Sequence, residues 1–364
     1  MVLRHSEYAT PTIDKVARVI SELGDKYIVG FLVYVTYHFM DHSKAFIVIF
    51  AAIICQSFST LLKGIYHEAR PFFLADTRPN GCRFEYGNPS GHSFIGTGLY
   101  LTIWDLLMKE YPKTPKLVKY GSFGALLGVI AILAASRVYN GVHTYNQVYS
   151  GLGWGLVTFG VLCHLVYEQI GSLVQRLRKA SFMGLILNPI TLMFLAAHAL
   201  SVAVYFWNLK WHPIPEEWAK SIALFCHEKE QTSHNIELHN YIQFQFCWGL
   251  MGAYLGLILD QRYLSTGKYE KFFRTSFSTS VKRILIGAPF VLMTQLGMVL
   301  VSKKAGFLTL VVSRTAMPTF AACFIIFGLS KWQCHRAGLI NTEGTTEAGR
   351  KPPTSGWQNQ KKVK

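Results

Sequence analysis

The sequence predicts an all-α fold, a polytopic membrane helix bundle of about nine transmembrane helices, from its composition and its long apolar segments. Of the 364 residues, 51% are hydrophobic and only 15% are charged, whereas a soluble domain carries about 25% charged residues. The formal net charge is +16. Lys and Arg kept beside membrane spans explain this excess better than nucleic-acid binding does. We therefore expect membrane lipids, and not nucleic acid, around this chain.

Nine segments are long and apolar enough to cross the hydrocarbon core, which takes about 20 mostly apolar residues. They are residues 27–40, 44–62, 92–108, 120–136, 147–169, 182–207, 240–259, 284–301 and 308–330. Together they predict a membrane-embedded domain over 27–330. Residues 1–26 are polar, but Val16, Ile20 and Leu23 recur at helical spacing, which predicts a short amphipathic helix on the lumenal membrane surface. The basic tail, 331–364, is predicted to be disordered.

The distribution of charge predicts the orientation of the bundle. If the C-terminus is cytosolic, the cytosolic segments hold 20 Lys and Arg against 7 Asp and Glu, and the opposite side holds 14 against 12. The positive-inside rule then places the N-terminus in the lumen. The chain ends Lys361-Lys362-Val363-Lys364, which resembles the dilysine signal of endoplasmic reticulum membrane proteins. The alternative is that a basic tail ends in lysines by chance.

The seven cysteines include no C-x-x-C pair, which argues against a zinc site. In the predicted orientation only Cys82 and Cys226 face the oxidising lumen, so we predict a disulfide between them. The lumenal segment 208–239 also contains four histidines, His212, His227, His234 and His239. Because their spacing is irregular, we expect a solvated loop there and not a metal site.

Three polar clusters lie at the non-cytosolic ends of predicted spans: residues 63–71, 87–93 and 136–147. They supply three permanent cations, a glycine-containing turn that enters a helix, and the two histidines His92 and His143. Cations and a helix N-terminus can bind phosphate. One histidine can attack phosphorus while the other protonates the departing oxygen. Because no Asp or Glu cluster is present to hold magnesium, we expect a metal-independent phosphoryl transfer without a cofactor.

The joint spacing of these clusters resembles the K-x6-RP, PSGH and SR-x5-H-x3-D signature of the type 2 phosphatidic acid phosphatase superfamily. The resemblance covers about residues 60–150 and implies a catalytic core of the phosphatidic acid phosphatase/haloperoxidase type. It implies that His143 is the nucleophile that forms a phosphohistidine and that His92 is the acid for the leaving group. The implied phosphate ligands are Lys63, Arg70, Ser90, Gly91 and Arg137.

Gln147 departs from the general signature, which has Asp at this position. A carboxylate would hold the tautomer of His143 and stabilise its imidazolium. An amide oxygen accepts the same hydrogen bond but brings no charge, so we expect Gln147 to orient a less basic His143. The glucose-6-phosphatase and dolichyl diphosphatase branches also carry Gln there.

Within the superfamily, the nine spans, the lysines of the tail and the lumenal site are most like the glucose-6-phosphatase catalytic subunits. Arg314, in the last span, resembles a segment of that branch, although it could equally be a packing cation bonded to a backbone carbonyl. The expected function is hydrolysis of a phosphate monoester at the lumenal side of the endoplasmic reticulum. A phosphate or sugar-phosphate transporter would be a compatible partner.

Two alternatives stay open. Residues 143–147 look as much like the dolichyl diphosphatase version, so the substrate could be a lipid phosphate or dolichyl diphosphate. A sugar phosphate needs an aqueous lumenal pocket, whereas a lipid phosphate needs a lateral opening between spans. The second alternative is a catalytically degenerate transporter or scaffold.

Overall fold

The computed structural model of the chain describes residues 10–74, 79–177, 179–226, 233–264, 275–302 and 305–340. All regular secondary structure in these ranges is helical, which confirms the all-α prediction. The α-helices are α1 (Pro11–Glu22), α2 (Lys26–Phe39), α3 (His42–Tyr66), α4 (Pro71–Leu74), α5 (Gly91–Glu110), α6 (Lys116–Tyr139), α7 (Tyr145–Val161), α8 (Tyr167–Arg176), α9 (Phe182–Ile186), α10 (Pro189–Trp211), α11 (Glu216–Cys226), α12 (Ser233–Phe244), α13 (Trp248–Leu259), α14 (Phe277–Thr294), α15 (Leu296–Leu300), α16 (Phe307–Val311), α17 (Met317–Phe324) and α18 (Ser330–Arg336).

Six helical stretches of the described chain are long and apolar enough to cross a membrane. They are His42–Leu74, Lys116–Tyr139, Tyr145–Val174, Pro189–Trp211, Ile236–Leu264 and Phe307–Arg336. The other three predicted spans correspond to α2, α5 and α14, which do not reach this standard, so the count of nine is not confirmed. For α2 the reason is its length of 14 residues.

Helix α5 departs from an ordinary membrane span because it is enclosed by protein. Residues 93–102 are all buried, and the helix packs between α3 and α7. Its buried hydroxyls bond within the helix, as Thr97 Oγ1 donates to Ser93 O at 2.9 Å. A helix in this position needs no apolar surface for lipid, which allows it to be less apolar than its neighbours.

The contact between α5 and α7 is close because α7 presents glycine to it. A Cβ on Gly155 would lie 2.8 Å from Phe94 O, and one on Gly151 would lie 2.5 Å from Ser90 O. Small residues let helix backbones approach closely in membranes. The approach joins the N-termini of the two helices, where Ser90 N donates to Gln147 O at 2.9 Å. The second and third polar clusters therefore meet.

The predicted amphipathic helix within 1–26 is observed as α1, with residues 1–9 outside the described chain. Its polar side packs on the end of α6, where Asn140 Nδ2 donates to Ala17 O at 3.2 Å and to Ser21 Oγ at 2.9 Å. Val16 is 52% exposed on the outer side. Such an exposed apolar side suits a membrane surface, although that location stays a prediction.

The described part of the segment 208–239 is largely helical and is not the solvated loop that we expected. Helix α11 packs its apolar side on α4, with Ile222 fully buried and the Trp218 ring 5.6 Å from the Phe73 ring. His227 lies outside the described residues. Within the described ranges, no group of three or more His, Cys, Asp and Glu side chains could hold a metal ion.

The predicted pairing of Cys82 with Cys226 is confirmed. The two Cα atoms are 5.9 Å apart across a disulfide that joins positions 144 residues apart. This bond ties α11 to the loop that precedes α5, so α11 is attached beside the PSGH turn.

We expect both thiols of this pair to resist alkylation in the unreduced protein, because a disulfide leaves no thiolate to react. Mass spectrometry of peptides alkylated before and after reduction checks this. Cys163, a half-buried free cysteine, serves as the control for reagent access. Alkylation of Cys82 and Cys226 without reductant would contradict the pairing.

Candidate active site

A cavity of about 90 Å³ lies where the three polar clusters meet. Its lining includes Lys63 from the first cluster, Gly91 and His92 from the second, and His143 from the third. Residues 63–71, 87–93 and 136–147 are distant in the sequence, so only the packing of α3, α5 and α7 brings them together.

His143 lies in the turn between α6 and α7 and is 2% exposed. Thr144 begins α7 with a capping box that it forms with Gln147. This cap places the Gln147 amide oxygen 3.2 Å from His143 Nδ1. On the other side of the ring, Arg70 Nη1 lies 3.1 Å from Nε2. Because a guanidinium only donates hydrogen bonds, Nε2 is the acceptor and Nδ1 carries the proton.

The surroundings of His143 favour its neutral form. Burial is the largest cause that lowers its pKa well below the usual value, and the nearby cations Arg70, Arg137 and Lys63 lower the pKa further. A neutral imidazole with an unprotonated Nε2 is the form that can attack an electrophile. The ring is therefore in its nucleophilic state at neutral pH.

Arg70 is positioned by the way in which α3 ends. His67 terminates the helix in the left-handed conformation, with φ of 49°, a region in which His is enriched among non-glycine residues. The chain turns there, and Arg70 becomes 1% exposed. Its guanidinium donates to Val142 O at 2.8 Å and to Glu85 O at 2.7 Å. One side chain thus joins the first cluster to the third.

Glu85, which no sequence motif marked, lies between two of the predicted phosphate ligands. Its Oε1 accepts from Arg70 Nη2 at 2.7 Å and from Lys63 Nζ at 3.3 Å. Burial alone would raise the pKa of this carboxyl, but the cations Lys63, Arg70 and Arg83 hold it well below its usual range. The carboxylate is therefore ionised and occupies part of the positive field that an anionic ligand would use.

His92 belongs to the first turn of α5 and lines the same cavity as His143. Its Nε2 is buried without a hydrogen-bond partner among the described residues. Gly24, in the link between α1 and α2, lies against the ring, since a Cβ there would be 2.7 Å from His92 Cδ2. The N-terminal segment thereby encloses the histidine.

Four predicted site residues are outside the cavity lining, and one of them, Arg70, contacts His143 Nε2. Ser90 is fully buried at the start of α5, where its Oγ accepts from Ser93 Oγ at 3.1 Å. Arg137 is buried and its Nη1 donates to Ser21 Oγ at 2.8 Å. Gln147 is fully buried behind His143. The cavity lining also includes charged residues that sequence reasoning missed, among them Lys26, Arg83 and Glu85.

Arg314 does not line this cavity. Its Nη1 donates to Val301 O at 3.2 Å, which is the contact expected of a packing cation bonded to a backbone carbonyl.

The family comparison covers the part of the chain that contains the three polar clusters. Residues 44–170 match the sequence model of the PAP2 superfamily. This match supports membership of the PAP2 superfamily. Because members of the superfamily are phosphatases, the match supports a phosphatase, and the apolar helices support a membrane protein. No curated protein and no solved structure matches the chain at a significant level.

Glu85→Gln should strengthen binding of free phosphate several-fold, because the substitution removes a negative charge that competes for Lys63 and Arg70. It should also lower the free energy of unfolding by about 3 kcal/mol, since it breaks a buried ion pair. The measurements are Tm in detergent and the phosphate concentration that raises it. Glu216→Gln, at an exposed carboxylate of α11, is the matched control. Unchanged phosphate binding in Glu85→Gln would contradict this role.

Proposed function

We propose that this protein is an integral-membrane phosphatase that hydrolyses a phosphate ester through a phosphohistidine on His143. The observation that carries the proposal is the unprotonated, buried Nε2 of His143 beside Arg70, at a cavity that Lys63 and His92 also line. A nucleophile, a proton donor and anion-binding cations are the groups that the reaction needs.

In the first step the Nε2 lone pair gives up its hydrogen bond from Arg70 and attacks phosphorus, and the bond to the ester oxygen breaks. The electron pair leaves with that oxygen, which takes a proton from His92; for this step His92 must be in its imidazolium form, which the negative charge of bound phosphate favours. In the second step water attacks the phosphohistidine while His92 accepts a proton from the water. The bond between Nε2 and phosphorus breaks, its electron pair returns to the imidazole, and phosphate leaves.

The predicted phosphate ligands support this scheme to different degrees. Lys63 and Gly91 line the cavity, and Arg70 contacts the nucleophile. The amide groups at the start of α5, a helix of 20 residues, can bind an anion there. Ser90 and Arg137 lie behind the lining, so Arg137 would have to exchange its bond to Ser21 for a bond to substrate.

A second cavity favours a substrate with a hydrocarbon chain. It has a volume of about 400 Å³ and an almost wholly apolar wall, to which α2, α3, α14 and α17 contribute. Lys26, Gln56 and Ile95 line both this cavity and the polar one. An apolar space that adjoins a phosphate-sized polar space suits a phosphorylated lipid, with the chain in the larger cavity. We therefore propose a lipid phosphate or diphosphate as the substrate.

The glucose-6-phosphatase-like alternative has less support. It depended on nine spans, on Arg314 and on the lysines of the tail. Six stretches of the described chain qualify as spans, and Arg314 bonds to a backbone carbonyl. The lysines of the tail lie outside the described chain and so carry no weight against it. The inactive transporter or scaffold has less support as well, because both histidines line one cavity with a cation.

For location we propose the endoplasmic reticulum membrane, with the N-terminus and the catalytic cavity on the lumenal side and the tail in the cytosol. The excess of Lys and Arg in the predicted cytosolic segments and the terminal lysines support this orientation.

His143→Ala should abolish phosphate release and the acid-labile phosphoenzyme, because it removes the attacking nitrogen. His92→Ala should lose turnover with a poor leaving group but still form phosphoenzyme from a good one, because protonation then matters less. The measurements are phosphate release and trapping of phosphoenzyme by purified protein. Phosphoenzyme that persists in His143→Ala would refute the assignment.

Ala288→Phe should reduce hydrolysis of a long-chain lipid phosphate at least tenfold and spare a short-chain phosphate, because the added ring fills part of the apolar cavity that Ala288 lines. The measurement is kcat/KM for both substrates and for glucose 6-phosphate. Ala131→Phe, at an exposed position of α6, is the matched control. Efficient hydrolysis of glucose 6-phosphate with no effect of chain length would favour the sugar-phosphate alternative.

A further inference from the structure

We propose that Glu68 is a positioning residue whose carboxylate acts on the nucleophile His143 through the side-chain amide of Gln147. The three side chains form a hydrogen-bonded series, with Gln147 in the middle. This inference rests on the proposed nucleophilic role of His143, and it assigns a function to a residue that is not one of the signature positions.

The Gln147 amide has every hydrogen-bonding position filled. Its Nε2 donates to Glu68 Oε1 at 2.8 Å and to Ala69 O at 2.8 Å. Its Oε1 accepts from His143 Nδ1 at 3.2 Å and from Thr144 N at 3.2 Å. Turning the amide over would place its NH₂ against the Thr144 N–H and its oxygen against two acceptors. The amide orientation is therefore determined by its partners.

The PSGH loop holds the carboxylate and the amide together. Asn88 Nδ2 donates to Glu68 Oε2 at 2.7 Å, and Gly87 N donates to Glu68 O at 2.8 Å. Gly87 lies directly on the amide, since a Cβ there would be 2.5 Å from Gln147 Nε2. Both oxygens of Glu68 are thus bonded, which restricts the carboxylate to its position beside Gln147.

The charge that develops on His143 during the reaction explains how this arrangement would assist it. Attack on phosphorus by Nε2 leaves positive charge on the imidazole, which a nearby carboxylate stabilises. Gln147 has no charge of its own, but a carboxylate bonded to its NH₂ polarises the amide so that its oxygen becomes a better acceptor. In the signature, an Asp places a negative charge directly beside the histidine. Here Glu68 supplies that charge from one side chain further away.

Other charged and titratable groups surround His143. Most of them lower the pKa of its imidazole, whereas the negative charge of Glu68 would raise it. The cations are Arg70, Arg137 and Lys63, and His92 is a further titratable neighbour. The carboxylate of Glu85 is paired with Lys63 and Arg70. Arg70 contacts Nε2, the reacting side of the ring. Glu68 reaches the ring from the Nδ1 side, through Gln147, so its charge does not compete with substrate phosphate for the cations.

The test is the pH dependence of kcat/KM in Glu68→Gln. Removing the charge should make His143 less basic and move the acidic limb of the profile to lower pH by about one unit, the lower end of the effect of a nearby charge. The rate at the plateau should fall about tenfold, the equivalent of one pKa unit. Glu216→Gln, at the exposed carboxylate of α11, controls for the loss of one charge and should leave the profile unchanged.

A second substitution separates this role from a merely structural one. Gln147→Asp in the Glu68→Gln background places a carboxylate directly on Nδ1, so the acidic limb should return toward higher pH and the rate should partly recover. Asn88→Ala removes the other bond to the Glu68 carboxylate but leaves its charge. That variant should lower stability without shifting the acidic limb.

The outcomes distinguish this inference from the proposed function. Absence of phosphate release and of phosphoenzyme in the unsubstituted protein would refute the proposed function. An active protein whose acidic limb is the same in Glu68→Gln, or shifts equally in Asn88→Ala, would refute the role of Glu68 and leave the proposed function intact.

Discussion

The buried guanidinium of Arg70 is the constraint on which the rest of the candidate active site depends. A charge taken out of water is costly unless it is paired and hydrogen-bonded. Arg70 meets this requirement through the Glu85 carboxylate, two backbone carbonyls and the nitrogen of His143. These partners come from the loop before α5 and from the turn after α6. Satisfying one cation therefore forces three distant segments into one arrangement.

The arrangement on the other side of His143 follows the same rule. The Gln147 amide is fully buried, so each of its donors and acceptors needs a partner. Glu68, Ala69, Thr144 and His143 provide them. The tautomer of the histidine is set by its two neighbours together, because Arg70 can only donate and Gln147 Oε1 can only accept. An Asp at position 147 would accept the Nδ1–H bond but offer no NH₂ to Glu68.

Helices outside the family match give the site its surroundings. Helix α1 covers the end of α6 through Ser21, and α11 caps the region through Trp218 and the disulfide to Cys82. Helices α2, α14 and α17 contribute to the apolar cavity. The matched residues, 44–170, supply the two histidines and the cations. The accessory helices form most of the apolar cavity on which the proposal of a lipid substrate rests.

The sequence by itself determined the all-α membrane character and predicted the candidate site residues. Spaced motifs and apolar segments are local features that can be read along the chain. It also indicated the pairing of Cys82 with Cys226, because an oxidising compartment left only these two. Yet Glu85 and Glu68 carried no signal, since a carboxylate acquires its role from the cations and amides that packing places around it. Likewise, α5 qualified as a span by its sequence, whereas its enclosure by α3 and α7 showed that it needs no lipid-facing surface. The tertiary structure alone decided which charges face each other and which cavities join, because these depend on contacts between segments that lie far apart in the chain.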